Sequence, residues 1–234
     1  MQKEISWKVI DLIKVSGVIA ALTAVASIIL SFFIESLDNN STFTTVITFV
    51  IQDAILLLPI YFLIIRKYKA SAEMFGFINI GFKKTLKYFL NGFGLFILTT
   101  VGLALIIGLT QKYFGTSIPG FAQQAEHLPL FGKGKFDLAV AITILIFVAP
   151  IIEEFIFRGF LLNTLLRSYK PWIASVITAA VFALIHLEFS SIGIIFILAL
   201  ILNSIFLRSR SLWPCILFHI VNNSLAFSAE YFLR

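Results

Sequence analysis

The chain has 234 residues, of which 59% are hydrophobic and 13% are charged, and its mean hydropathy is +1.00. This composition lies far outside the range of soluble globular domains, and 6 Pro and 13 Gly are too few for a disordered or fibrous chain. The net charge of +6 does not indicate nucleic-acid binding, because the Lys and Arg residues form short clusters between apolar runs. A single cysteine, Cys215, excludes an intramolecular disulfide. We therefore predict one integral membrane domain, residues 1–234, in contact with membrane lipid.

The apolar runs are long enough, or nearly so, to cross the ~30 Å hydrocarbon core, which needs roughly 20 helical residues. Helices are expected because a spanning backbone must satisfy its own hydrogen bonds, and no run alternates with the period of a barrel strand. The predicted fold is an all-α polytopic transmembrane bundle of about seven to eight spans. The predicted transmembrane helices are residues 9–34, 44–65, 86–110, 136–166, 171–187, 190–207 and 212–232.

The distribution of basic residues predicts the orientation of these helices. Most of the 18 Lys and Arg residues fall in segments that lie on one side if the N-terminus is cytoplasmic. The positive-inside rule then predicts a cytoplasmic N-terminus and an external C-terminus. The first apolar run continues unbroken past Ala24-Val25-Ala26 to Ile34, so we expect a retained anchor and not a cleaved signal peptide.

Two connecting segments are long. Residues 66–85 are basic around an apolar Met74–Phe77 core, and this pattern fits an amphipathic segment along the inner interface and a solvated loop equally well. Residues 111–135 are interrupted by Pro and Gly, so they are expected to form an outer loop in which Glu126 and His127 are solvated.

The fourth predicted span contains Glu153, Glu154 and Arg158. A charged side chain at the centre of a bilayer costs ~2.5 to 3.5 kcal/mol on insertion scales, so three in one span need an explanation. Glu154 and Arg158 are four residues apart and share a helix face, so an intrahelical ion pair is expected. Glu153 points about 100° away and remains free to face another helix.

Two later spans contribute polar groups at a comparable depth. His186 ends the fifth predicted span, and His219 and Asn223 share one face of the seventh. At 1.5 Å per residue, Glu153, His186, His219 and Asn223 lie ~14 to ~24 Å from the nearest inner basic residue. Helix tilt and side-chain length can absorb a spread of ~10 Å, so these groups are predicted to form one site.

The residue types suggest hydrolytic chemistry. Glu153 with His186 could activate a water molecule, and His219 with Asn223 offers hydrogen-bond donors for an oxyanion on a scissile carbonyl. As an alternative, Glu153, His186 and His219 are suitable ligands for zinc or a similar divalent ion.

Three motifs follow one another on separate spans: Glu153-Glu154-x-x-x-Arg158, Phe182-x-x-x-His186 and His219-x-x-x-Asn223. In this order they resemble the signature motifs of the CPBP intramembrane proteases, also called the CAAX protease and bacteriocin-processing (Abi) family. The resemblance implies a CAAX-prenyl-protease-like bundle with its catalytic half in residues 136–232.

The same resemblance implies an endopeptidase whose substrate is a membrane-associated or lipidated peptide or protein. By position, the resemblance assigns water activation to Glu153 and His186 and oxyanion binding to His219 and Asn223. The supporting residues by the same argument are Glu154, Arg158 and Phe182, with Phe182 shaping the wall beside His186. The resemblance favours a glutamate protease without a metal cofactor.

Two other functions remain as alternatives. The first is a non-catalytic membrane scaffold for bacteriocin self-immunity or signalling on the same fold. The second is a proton-coupled or ion-coupled transporter, although the chain has no internal repeat of the kind common in transporters. Usage rich in Ile, Phe, Lys and Asn indicates a bacterium with AT-rich DNA, and hence the bacterial cell membrane. The sequence makes no prediction of the oligomeric state.

Overall fold

The computed structural model describes residues 5–32, 41–122 and 130–232. Within these ranges the chain is helical and contains no β-strand, which confirms the all-α prediction. The predicted loop residues Glu126 and His127 lie outside the described residues. The long helices of the described ranges, numbered in chain order, are α1 Val9–Ser31, α2 Thr42–Arg66, α3 Phe82–Phe114, α4 Lys135–Leu165, α5 Pro171–Ile185, α6 Ile192–Ser209 and α7 Trp213–Phe232.

Five of these helices, α1 to α4 and α6, are long and apolar enough to cross a membrane. Helix α5 is apolar but has only 15 residues, and α7 has 20 residues but lower hydropathy because it contains His219, Asn222 and Asn223. Helix α7, which carries the motif residues His219 and Asn223, is therefore one of the two helices that are not long or apolar enough to count as spans. The other, α5, ends immediately before His186. Helix α3 extends to Phe114, into the segment predicted as the outer loop.

Helix α6 lies at the centre of the bundle and packs against α3, α5 and α7. It has the largest buried share of the five candidate spans, whereas α1 and α3 have the smallest. In a protein whose solvent is lipid, this contrast identifies α6 as an interior helix and α1 and α3 as lipid-facing helices. Polar side chains on α6 are therefore enclosed by protein.

The segment between α2 and α3 is packed into the bundle, so neither sequence-based expectation for residues 66–85 describes it fully. A short 3₁₀-helix, Ala72–Phe75, places the buried Phe75 ring against Trp7 with 4.8 Å between ring centroids. The backbone of Phe75 also approaches α4 at Gly159, where an added Cβ would lie 2.9 Å from the Phe75 carbonyl oxygen. Removing these aromatic rings from water outweighs the tendency of a basic segment to stay at the surface.

Helix α4, which contains the first motif, is not a uniform α-helix. Residues Thr143–Val148 and Phe155–Leu162 have π-helical hydrogen bonding on either side of Ala149–Glu154. Such wide turns shift the register of the side chains that follow, and they are frequent at functional sites. The first motif lies across the junction between the α-helical turn and the second wide turn.

Candidate active site

Glu154 and Arg158 form an ion pair inside the bundle. Arg158 Nη1 donates to Glu154 Oε1 across 3.0 Å, and both side chains are 0% exposed. The ion pair expected from their four-residue spacing is therefore present. Since both charges are fully removed from water and lipid, each depends on the other for compensation.

The other two nitrogens of the Arg158 guanidinium also have hydrogen-bond partners. Its Nε donates to Asn203 Oδ1 at 3.0 Å, and Nη2 donates to the Ala199 carbonyl at 3.1 Å, both on α6. The guanidinium carbon lies 4.8 Å from the centre of the Phe182 ring on α5. Arg158 thus joins α4, α5 and α6 at one point.

His219 lies between the two glutamates of the first motif. Its Nδ1 is 2.8 Å from Glu154 Oε1, and its Nε2 is 3.7 Å from Glu153 Oε2. Because an ionised carboxylate can only accept, Nδ1 carries the proton in the hydrogen bond with Glu154. The Nε2 atom therefore faces Glu153, at a separation longer than a direct hydrogen bond.

Glu153 differs from Glu154 in its surroundings. Its side chain is 29% exposed, whereas that of Glu154 is completely buried. Glu154 is therefore the interior partner of Arg158, whereas Glu153 is the carboxylate that molecules from outside the bundle can reach.

His186 lies at the C-terminal end of α5, where it caps the helix. Its Nδ1 is 2.6 Å from the Phe182 carbonyl oxygen, so this nitrogen donates and Nε2 retains a lone pair. The helix ends here because Leu187 adopts φ +55°, in the left-handed region that non-glycine residues seldom occupy. The half-buried imidazole is thereby available at a helix end.

The buried ring of Phe182 connects the two imidazoles. Its centroid lies 4.7 Å from that of His186 and 6.2 Å from that of His219. Phe182 therefore contacts His186, His219 and Arg158, which is more than the wall beside His186 that the motif resemblance implies. A change in its volume would affect all three polar groups.

Asn223 is held one helical turn beyond His219 on α7. Its Nδ2 donates to the carbonyl oxygen of Leu145 at 2.9 Å, and Leu145 lies in the first wide turn of α4. Its Oδ1 accepts from Asn222 Nδ2 at 3.4 Å. The amide group carries two hydrogens, and Leu145 uses one of them.

The structure thus brings Glu153, Glu154, Arg158 and His219 into one connected group. His186 adjoins this group through Phe182, and its hydrogen bond goes to the Phe182 carbonyl oxygen.

The positions of these side chains can also be compared with those of a zinc-binding site. In the part of the chain that the structure describes, no three His, Cys, Asp or Glu side chains gather as a ligand set. The arrangement of Glu153, His186 and His219 therefore does not fit a three-ligand zinc site.

A cavity of about 870 Å³ opens between the N-terminal parts of α2 and α4. Its walls are mainly apolar, and they include Phe43, Phe136 and Ile144. The residues Glu153, His186 and His219 do not line it.

Asn203 is the residue of this network that the sequence-based reasoning missed. It is completely buried on α6 and accepts the hydrogen bond from Arg158 Nε. The available signal was an amide within an apolar run, since polar residues inside membrane helices tend to bond to neighbouring helices.

Together, the apolar helices and the enclosed Glu, His and Arg side chains define an integral membrane protein with a polar interior site. Residues 135–225 match the family model described as "Type II CAAX prenyl endopeptidase Rce1-like". This segment is therefore similar to the Rce1-like CAAX endopeptidases, which agrees with the resemblance to the CPBP intramembrane proteases. At the level of the family, the match indicates a membrane endopeptidase.

The matched segment begins at Lys135, the first residue of α4, and includes all three motifs. Residues 1–134 lie outside it. No curated protein and no solved structure matches the chain.

Proposed function

We propose that this protein is an intramembrane endopeptidase of the CPBP type that hydrolyses a peptide bond in a membrane-associated or lipidated peptide or protein. The observation that carries the proposal is the position of His219, with Nδ1 bonded to buried Glu154 and Nε2 facing accessible Glu153. An accessible carboxylate beside a positioned imidazole is an arrangement that can activate water for hydrolysis, and these contacts support that assignment.

In the proposed reaction, Glu153 is the general base. It takes a proton from a water molecule whose oxygen bonds to the scissile carbonyl carbon. The proton then passes to the leaving amine nitrogen as the C–N bond breaks. His186 assists because its Nδ1 proton is committed to the Phe182 carbonyl, so Nε2 can accept a hydrogen bond from the attacking water.

His219 and Asn223 are proposed to stabilise the oxyanion that forms when the water attacks. In its protonated form His219 donates from both nitrogens, to Glu154 through Nδ1 and toward the Glu153 side through Nε2. Asn223 contributes the amide hydrogen that Leu145 does not use. Donors aimed at developing negative charge in a water-poor interior are among the strongest catalytic groups.

Glu154 and Arg158 are assigned a supporting function. Glu154 fixes the orientation of the His219 ring, and Arg158 compensates the charge of Glu154 within the bundle. Neither side chain is accessible, since both are fully buried. They are therefore expected to act through His219 and not on the substrate directly.

We also propose where in the cell the reaction takes place. The substrate is a peptide segment in or near the bilayer, with lipid around the bundle, and nucleic acid has no part. The N-terminus is proposed to face the cytoplasm of a bacterial cell, following the distribution of basic residues. No metal cofactor is proposed, because the candidate ligands do not converge.

The test is cleavage of fluorogenic peptides by purified full-length protein in lipid vesicles, comparing a prenylated CAAX-type peptide with its unprenylated form. Glu153→Gln and His186→Ala are each expected to lower kcat by about 100-fold or more, as for loss of a general base. The matched controls are Glu126→Gln and His127→Ala, in the loop that the sequence places between spans. These controls should retain full activity.

Undiminished cleavage by both Glu153→Gln and His186→Ala would contradict the proposed mechanism. The scaffold alternative makes the opposite prediction in cells. If bacteriocin immunity persisted in a Glu153→Gln/His219→Ala double variant, the fold would act without catalysis.

A further inference from the structure

Asn203 occupies a position on α6 where an apolar residue would be expected. It follows the run Ile201-Leu202, precedes Ser204, and is 0% exposed. A buried amide without partners would destabilise the bundle, so its hydrogen bonds determine whether it has a function.

The two hydrogen bonds of Asn203 fix the orientation of its amide. Nδ2 donates to the Ser175 carbonyl oxygen on α5 at 2.9 Å, and Oδ1 accepts from Arg158 Nε on α4 at 3.0 Å. A carbonyl can only accept and a guanidinium can only donate, so the amide satisfies both partners in one orientation alone. The side chain therefore ties α4, α5 and α6 together.

The hydrogen bond from Arg158 to Asn203 also constrains the orientation of the Arg158 guanidinium group. Asn203 holds Nε, and the Ala199 carbonyl holds Nη2, so the planar group directs Nη1 at Glu154 Oε1. The same carboxylate oxygen accepts from Nδ1 of His219. A shift of Arg158 would consequently move the acceptor that orients the imidazole.

We propose that Asn203 is a positioning residue for the candidate active site, setting the orientation of His219 through Arg158 and Glu154. An effect of Asn203 on catalysis rests on the proposed function. The structural content of the inference, a coupling between an amide on α6 and an imidazole on α7, can be measured independently of activity.

The first test compares Asn203→Leu with Ser204→Ala on the same helix. Leucine has a similar size but removes the acceptor of Arg158 Nε and the second donor to the Ser175 carbonyl oxygen. Ser204 provides the control because, within the described ranges, its hydroxyl donates to the Ile201 carbonyl of the same helix and to no other helix. We expect Asn203→Leu to lower kcat by about 10- to 100-fold with KM changed less than about twofold, and Ser204→Ala to change neither. An unchanged kcat in Asn203→Leu, with the wild type active, would overturn the proposal.

A double-mutant cycle separates positioning from general damage to the fold. If Asn203 acts through Glu154, adding Asn203→Leu to Glu154→Leu should lower kcat no further, because leucine offers His219 no acceptor and the connection is already broken. Fully additive losses would show that Asn203 acts by another path.

The independent readout is the imidazole NMR signal of His219 in protein labelled with ¹⁵N-histidine. The chain has three histidines, so His219→Gln identifies the signal. The Nδ1 proton bonded to Glu154 should shift in Asn203→Leu and stay in place in Ser204→Ala. An unshifted signal in Asn203→Leu would overturn the inference even if the protein cleaves peptides. If the wild type cleaves no peptide, the proposed function fails, and the NMR comparison still decides whether Asn203 positions His219.

Asn203→Asp keeps the test decisive if the leucine variant does not fold. Aspartate preserves the volume and the acceptor facing Arg158, but its charge competes with Glu154 for the guanidinium. We expect a shifted His219 signal and an altered pH dependence of kcat. An unchanged signal and profile would contradict the proposal.

Discussion

Nδ1 of His219 lies 2.8 Å from Oε1 of Glu154, although 65 residues separate them along the chain. The same oxygen accepts a hydrogen bond from Arg158, so one carboxylate compensates a buried cation and orients an imidazole. This arrangement makes the stability of the bundle and the geometry of the proposed active site depend on the same charge. The two effects can be separated by substitution.

Glu154→Gln is expected to lower the free energy of unfolding by about 3 to 5 kcal/mol, because it leaves a fully buried Arg158 without its counter-charge. The double variant Glu154→Gln/Arg158→Met should recover most of this loss, since it buries no uncompensated charge. It should not recover cleavage, because the acceptor that orients His219 is altered. Denaturant unfolding in detergent micelles measures the stability, and a double variant as unstable as the single one would argue against a charge effect.

The two adjacent amides of α7 should differ in their effect on catalysis. Asn223→Ala is expected to lower kcat by about 100- to 1,000-fold, the usual loss on removing an oxyanion donor. Asn222→Ala should have a much smaller effect, because its contact in this network is the 3.4 Å hydrogen bond to Asn223. Equal losses in the two variants, measured with the same peptide, would remove the basis for choosing Asn223.

The sequence predicts the parts of this protein that depend on local patterns. Apolar runs predict the helices, and the four-residue spacing predicts the Glu154–Arg158 pair that the structure contains. Depth estimates also predict that Glu153 and His219 lie at comparable levels, and these side chains lie 3.7 Å apart. Each of these predictions uses only helix geometry and the thickness of a bilayer.

Features that depend on packing between distant segments could not be predicted in this way. The position of Phe75 against Trp7 depends on tertiary contacts, which hydropathy does not encode. Likewise, the apolar run of α4 does not indicate where its wide turns lie, and these turns alter the register beside Leu145 and Arg158. Asn203 was missed because one amide in an apolar run specifies neither its partner nor its direction.

Gly159→Ala should destabilise the protein, because an added Cβ would lie 2.9 Å from the backbone oxygen of Phe75, which cannot move aside as a side chain can. We expect a loss of about 1 to 3 kcal/mol, typical of overpacking. The matched control is Gly94→Ala in α3, where nothing lies within 4 Å of the added Cβ. That substitution should be neutral or stabilising by up to about 1 kcal/mol through helix propensity. Unfolding in micelles tests the pair, and equal effects would contradict the packing argument.

An ion pair at the end of α2 predicts a pH effect. Lys67 Nζ lies 3.0 Å from Asp11 Oδ1 and 4.5 Å from the centre of the Tyr68 ring, and the interactions with Tyr68 and Asp11 raise the pKa of Lys67. A raised pKa in the folded state stabilises the fold below the ordinary lysine pKa of about 10.4, and this contribution disappears as pH rises through the raised value. Melting temperatures between about pH 9 and 11.5 should therefore fall more steeply for the wild type than for Lys67→Met. Lys69→Met should behave as the wild type, and parallel curves for all three proteins would refute the prediction.

Treatment with a strong chelator is expected to leave peptide cleavage within about twofold of its untreated rate. Oε1 of Glu154 is committed to Arg158 and His219, and His219 Nδ1 is committed to Glu154. This leaves Glu153 and His219 Nε2 facing each other, and the described residues supply no third ligand beside them, whereas catalytic zinc takes three protein ligands. Elemental analysis of the purified protein gives a readout besides activity, and we expect less than about one zinc per ten chains. Loss of cleavage on chelation with recovery on added zinc would mean that Glu153, His186 and His219 rearrange into a ligand set, and the glutamate mechanism would then be wrong.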